Sequence, residues 1–99
     1  MRALVKGMHF RGPRAVEAVS LFEEGSELSL EREPDNAYDA YAIKVIFGDL
    51  HIGYIEKEKA SYLASEMDDG VSFSAVFVGR EVAGRNVYPI LEITPAEAA

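Results

Sequence analysis

Apolar and polar residues alternate along much of this chain, and the alternation predicts strands. Residues 27–32 place Leu28 and Leu30 on one face, with Glu27, Ser29 and Glu31 on the other. Residues 41–47 (YAIKVIF) are β-branched and aromatic. Gly48-Asp49 then reads as a turn, and 50–55 (LHIGYI) returns as its hairpin partner. Residues 71–78 alternate and then turn apolar; Ala83-Gly84-Arg85 reads as a loop, and 86–93 (NVYPILEI) pairs back. Pro89 has no N–H to give a ladder, so that strand is expected at an edge or bulged there. Residues 2–10 (RALVKGMHF) are compatible with a further strand.

The helical period appears twice. Ala60, Leu63, Ala64 and Met67 stand at i, i+3, i+4 and i+7, predicting a helix over 56–68 with Glu56 and Glu58 in its first turn and Gly70 past its end. Residues 14–22 follow Pro13 and form a weaker candidate. Six short strands with a helix bridging two hairpins predict a mainly β fold, a small barrel. Ninety-nine residues hold one domain, 1–99, with residues 95–99 expected to be a frayed tail. No repeat or linker interrupts it.

Composition narrows the function. Ten Lys and Arg against 17 Asp and Glu give a net charge of −7, which excludes a generic, charge-driven polyphosphate binder. The charge is uneven, however. Residues 1–14 carry Arg2, Lys6, Arg11 and Arg14 and no acid, whereas acids dominate 15–39. A basic patch on an acidic protein is thus allowed. No Cys occurs, which excludes disulfides, a Cys-based zinc site and a thiol nucleophile. The opening MRALVKGMHFRG lacks the apolar core of a secretory signal, so a cytoplasmic location is expected.

Enzyme signatures are missing. There is no Gly-rich nucleotide loop and no Gly-x-Ser-x-Gly elbow. His9 and His51 are read into different strands without metal-ligand spacing. The run 33–39 (EPDNAYD) resembles a calcium loop only superficially, because the loop's glycine is absent. Asp35 and Asp39 could in principle do acid–base work, but capping and shaping a loop is the favoured role. No enzyme activity, cofactor or metal is expected.

One segment is far more specific than the rest: 32–45 (REPDNAYDAYAIKV), followed by 52–55 (IGYI). Pro34-Asp35-Asn36 reads as a turn whose Asx side chains can bond the local backbone. Tyr38 and Asp39 follow it, just before a strand. With 5–12 (VKGMHFRG), these residues resemble the HIRAN family signature, roughly E-P-D-N-P-Y-D-P-N-A-I-x-V followed by I-G-Y-[IV]. The resemblance spans about residues 3–93.

The resemblance implies an OB-like β-barrel with helices. HIRAN domains occur fused to SWI/SNF-type helicases and as small stand-alone bacterial or phage proteins. In helicase-like transcription factor the domain captures the 3′-hydroxyl end of single-stranded DNA. Carried over, it implies a nucleic-acid-binding module for single-stranded DNA 3′ ends, in repair, replication-fork or phage biology, and allows a protein partner there. Tyr38 and Asp39 match the family's pocket tyrosine and aspartate, and Phe10 its stacking aromatic. His9 stands where the helicase-linked domain has an arginine. Lys57 matches a phosphate-contacting lysine, and Tyr54 sits beside it. Arg11, Arg14 and Lys59 are further cations able to reach phosphate. The chain departs from the pattern at Ala37, at Ala40-Tyr41 and at Asn86, where a second stacking aromatic is usual; Tyr88 would replace that ring only in a shifted register. The alternative is a protein–protein interaction module: the same barrel, with its acidic face toward a basic partner.

Overall fold

A computed structural model describes residues 1–96 of the 99. Six antiparallel strands form it: β1 (Arg2–Lys6), β2 (Glu27–Arg32), β3 (Ile43–Phe47), β4 (Leu50–Ile55), β5 (Phe73–Ala83) and β6 (Asn86–Pro95). They close into a ring in the order β1-β4-β3-β2-β5-β6, the OB-like barrel expected. Helix α1 (Pro13–Ser20) follows β1, and α2 (Lys57–Asp68) links the β3–β4 hairpin to the β5–β6 hairpin.

The barrel fills with the residues that alternation points inward. Val5, Ile43, Val45, Ile52, Leu91 and Ile93 are fully buried. Leu28 is buried and Leu30 half-buried. Ala60, Leu63 and Ala64 of α2 pack on this core as their spacing predicts, with Met67 partly buried beside them. Small Ala side chains let the helix lie close, and Leu63 supplies the bulk.

Three boundaries differ from the sequence reading. The first strand stops at Lys6, because Gly7 takes a φ of 85° and the chain turns into a single 3₁₀ turn, Met8–Arg11. His9 and Phe10 therefore ride on that turn and not on a strand. β3 begins at Ile43, two residues later than the apolar run suggests, and β5 begins at Phe73 but runs on to Ala83. The stretch expected to fray is ordered as far as it is described: Pro95 pairs with Phe73, and the Ala96 N–H donates to the Ser72 carbonyl at 2.8 Å. Residues 97–99 lie outside the described residues.

Pro89 sits where the edge argument requires. β1 pairs with β6 through Arg2↔Glu92, Ala3↔Leu91 and Leu4↔Ile90, and then leaves it. From Pro89 to Asn86, β6 pairs with β5 alone, and β5 shifts register between Phe77 and Gly79, next to this point. On the other side of β1 only Val5↔Ile55 and Lys6↔Tyr54 join it to β4. Glu56 extends that short ladder: its N–H donates to the Leu4 carbonyl at 2.9 Å, and its carboxylate accepts the Leu4 N–H at 2.6 Å. No described helix is long and apolar enough to cross a membrane.

Candidate nucleic-acid interface

The loop between β2 and β3 is organised by one amide. Asn36 Oδ1 accepts from the Tyr38 N–H at 2.8 Å and the Asp39 N–H at 3.0 Å. The Asx turn read from the sequence is thus present, and it fixes the backbone of both pocket candidates. Asn36 Nδ2 donates to Glu33 Oε1 at 2.6 Å, and Asp39 Oδ1 accepts the Tyr41 N–H at 2.9 Å. From below, Arg32 donates to the carbonyls of Ala42 at 2.7 Å and Ala40 at 2.9 Å, and its guanidinium pairs with Asp68 of α2 at 3.0 Å. Ala37 and Ala40 lie in the loop that these bonds hold.

The rings stand clear of that frame. Tyr38 is 93% exposed and Phe10 94% exposed. Neither packs on the barrel, although an aromatic ring in a small domain ordinarily hides its apolar faces. Asp39 is half-buried, with Oδ1 engaged and no bond to Oδ2 among the described residues.

Glu33 joins the loop to the barrel wall. Its carboxylate accepts from Asn36, from the Tyr54 hydroxyl at 2.9 Å and from Lys44 Nζ at 3.2 Å. The Asn36 bond is the main reason its carboxyl is held below the usual range. Lys44 is held above its ordinary value by Glu33 in turn. Burial and the Glu33 carboxylate push the Tyr54 phenol upward, so it stays a neutral donor. The His51 ring meets Tyr54 edge-on at 4.8 Å, and Arg11 Nε approaches the His51 carbonyl at 3.5 Å. A continuous chain of contacts thus runs from the 3₁₀ turn through β4 to Tyr38 and Asp39.

Three of the six expected site residues, His9, Phe10 and Lys57, add no side-chain hydrogen bond or ring contact to it among the described residues. Lys57 begins α2, exposed, and shares no bond with the network. His9 is exposed and lines a cleft of about 330 Å³ facing Arg85 and Val87 of the β5–β6 hairpin. Of the other cations, Lys59 is tied to the Arg2 carbonyl at 2.8 Å, and Arg14 lines a different hollow beside Leu21 and Asp49. Tyr88 is half-buried against the core under Lys6 Nζ, 5.4 Å from the ring centre. It therefore supplies no ring for exposed Asn86. The sequence reading missed Glu33, Lys44 and His51, because their roles depend on cross-strand neighbours such as Lys44↔Tyr54.

Burial and then the Arg11 charge push the His51 imidazole below its ordinary 6.5. The unfolded chain therefore binds this proton more readily than the folded one. Stability should be full above pH 6.5 and fall as the pH drops below it. Glu33 acts with the other sign of group: its contribution is present above 4.5 and is lost as pH falls through its lowered folded value. Denaturant midpoints are expected to decline in two stages on acidification. His51→Gln should flatten the first stage only; an unchanged profile would contradict the assignment.

A family model for the HIRAN domain matches residues 2–92. The chain belongs to the HIRAN domain family. The crystal structure of the HIRAN domain of human HLTF superposes with a TM-score of 0.74 at 26% identity, covering 96% of this chain and 73% of that one. A crystal structure of a Lactobacillus plantarum protein also gives 0.74, at 23% identity, covering 91% of this chain and 87% of that one. A comparison with curated protein sequences finds no match. HIRAN domains are DNA-binding modules.

Proposed function

We propose that this HIRAN domain captures the 3′-hydroxyl end of single-stranded DNA, in a repair, replication-fork or phage setting. The observation that carries this reading is the pinned corner at Tyr38 and Asp39. A ring 93% exposed stands beside a carboxylate with one oxygen unbonded, on a backbone fixed by Asn36. An exposed ring on a rigid loop loses little freedom when a base stacks on it. An ionised carboxylate is acceptor-only, so it suits a terminal hydroxyl. Phe10 offers a second stacking face. Arg11 and Lys57 are the cations left to meet phosphate, with exposed His9 beside Phe10 on the same turn. Tyr54 acts through Glu33 and Asn36 by holding the corner in place.

Matched oligonucleotides ending in 3′-OH and 3′-phosphate test this. A 3′-phosphate sets about −1.5 to −2 charges against Asp39. Losing a charge-assisted bond worth roughly 1.5–3 kcal/mol corresponds to about ten- to hundredfold weaker binding. Asp39→Asn should narrow the difference, since the amide removes the repulsion. Equal affinity of the unaltered domain for both ends would reject this role for Asp39.

A further inference from the structure

The β2–β5 ladder that completes the ring is short, and past it the two strands run on unpaired with each other, on a surface the DNA reading does not use. The two strands bond from Gly25 to Leu28: the Phe77 N–H donates to the Ser26 carbonyl and the Gly25 N–H to the Phe77 carbonyl, each at 2.9 Å. Pairing ends at Leu28↔Ala75. In an antiparallel ladder alternate residues turn their main chain toward alternate neighbours. Just before β5, Ser72 bonds toward β6, as the Ala96 contact shows, and Phe73 stands opposite Pro95, which has no N–H to give. Phe73 therefore turns its main chain toward β2. On β2, Leu28 meets Ala75, so Leu30 is the next residue to turn that way. Leu30 and Phe73 are not paired with each other.

The result is a slot of about 710 Å³ bounded by two strands that are not paired with each other there. Small side chains line its mouth, Ser29 on one side and Ser72 and Ser74 on the other, so a backbone can approach both edges. Among the residues lining the slot, Glu27 is the only charged one. Glu31 follows four residues along, exposed on the same outer face.

We propose that this slot binds an extended basic peptide, which adds as a strand against Leu30 and Phe73. Only an extended chain offers donors and acceptors at the ladder spacing that both edges present. Glu27 and Glu31 favour Lys or Arg side chains on that peptide and disfavour phosphate. The site is separate from Tyr38, Asp39 and Phe10, so it provides a protein contact on a domain whose other face takes DNA.

The full chain, ¹⁵N-labelled, tests this by amide NMR and hydrogen exchange. The probe is an end-blocked peptide of about six residues alternating lysine and valine, a length that fits a strand. In the free protein the Leu30 amide should exchange faster than those of Ser29 and Glu31, which turn toward β3. The peptide should shift Leu30 and Phe73 and slow Leu30 exchange, leaving Phe10 and Tyr38 unmoved. Methylating alternate peptide nitrogens, or replacing lysine by glutamate, should weaken binding at least about tenfold. Ser29→Lys should do the same without moving the unfolding midpoint; should it disturb folding, Ser72→Lys repeats the test. Absence of binding at millimolar peptide, indifference to N-methylation, shifts centred on Tyr38, or a Leu30 amide already as slow as its neighbours would each overturn the proposal.

Discussion

Gly53→Ala is expected to destabilise the domain by about 3 kcal/mol, the upper end of what overpacking a filled interior costs. A Cβ at this position would lie 2.6 Å from the Lys6 carbonyl oxygen and 2.9 Å from Val5 Cγ1. The first of those neighbours is main chain of β1, held to β4 by only Val5↔Ile55 and Lys6↔Tyr54. Relief would therefore have to come from moving the strand that closes the barrel. Gly79→Ala is the control, because nothing lies within 4 Å of its Cβ position and its φ is not in the left-handed region. It should change stability by no more than about 0.5 kcal/mol. Urea unfolding of both variants decides the matter, and equal midpoints would contradict the packing argument. The glycine of the I-G-Y-I stretch is thus required by a close approach of strands, independently of any ligand.

Tyr38→Ala and Phe10→Ala are each expected to weaken binding to single-stranded DNA by roughly five- to hundredfold, from a stacking contribution of about 1–3 kcal/mol per base. Both rings are almost wholly exposed, so neither change should move stability by more than about 0.5 kcal/mol. Tyr38→Ala should weaken 3′-OH and 3′-phosphate oligonucleotides alike, since stacking does not sense the terminus. Asn36→Ala should lose comparable affinity with both rings intact, because the Tyr38 and Asp39 amides lose their shared acceptor. Fluorescence anisotropy with a labelled oligonucleotide reads these changes. Unaltered affinity in Tyr38→Ala and Phe10→Ala would move the proposed ligand site elsewhere on the barrel.

The barrel was legible because inward positions recur every second residue and the α2 face recurs at helical spacing. Strand β2 and the Gly48-Asp49 turn fall where alternation puts them. The Met8–Arg11 turn was not legible from hydropathy, since Met8 and Phe10 extend an apolar run; the two glycines that bracket it, Gly7 and Gly12, both at positive φ, were the available signal. Within the site, the Asn36 turn could be read from Pro34-Asp35-Asn36, because an Asx turn is a local bond. The Glu33–Tyr54–Lys44 cluster could not. It exists only once β3 and β4 are in register, and the register shift between Val45 and Ile46 sets Lys44 opposite Tyr54, where the two-residue turn alone would set it opposite Gly53.

Pro89 has a bearing on solubility. Past it, the β5–β6 ribbon leaves the barrel with exposed Val82 and Val87 near its tip. A two-stranded ribbon with bare valines is a template for self-association through its free edge. Along β6 the Ile93 N–H donates to Met1 and Leu91 pairs with Ala3, so the next residue turned toward that edge is position 89. Proline there leaves the edge short of a donor at the point where β1 departs. A second copy approaching along β6 would find no donor at position 89, where the ring is already buried in the domain, so a row of cross-chain bonds along the ribbon would stop at the point where β1 leaves it.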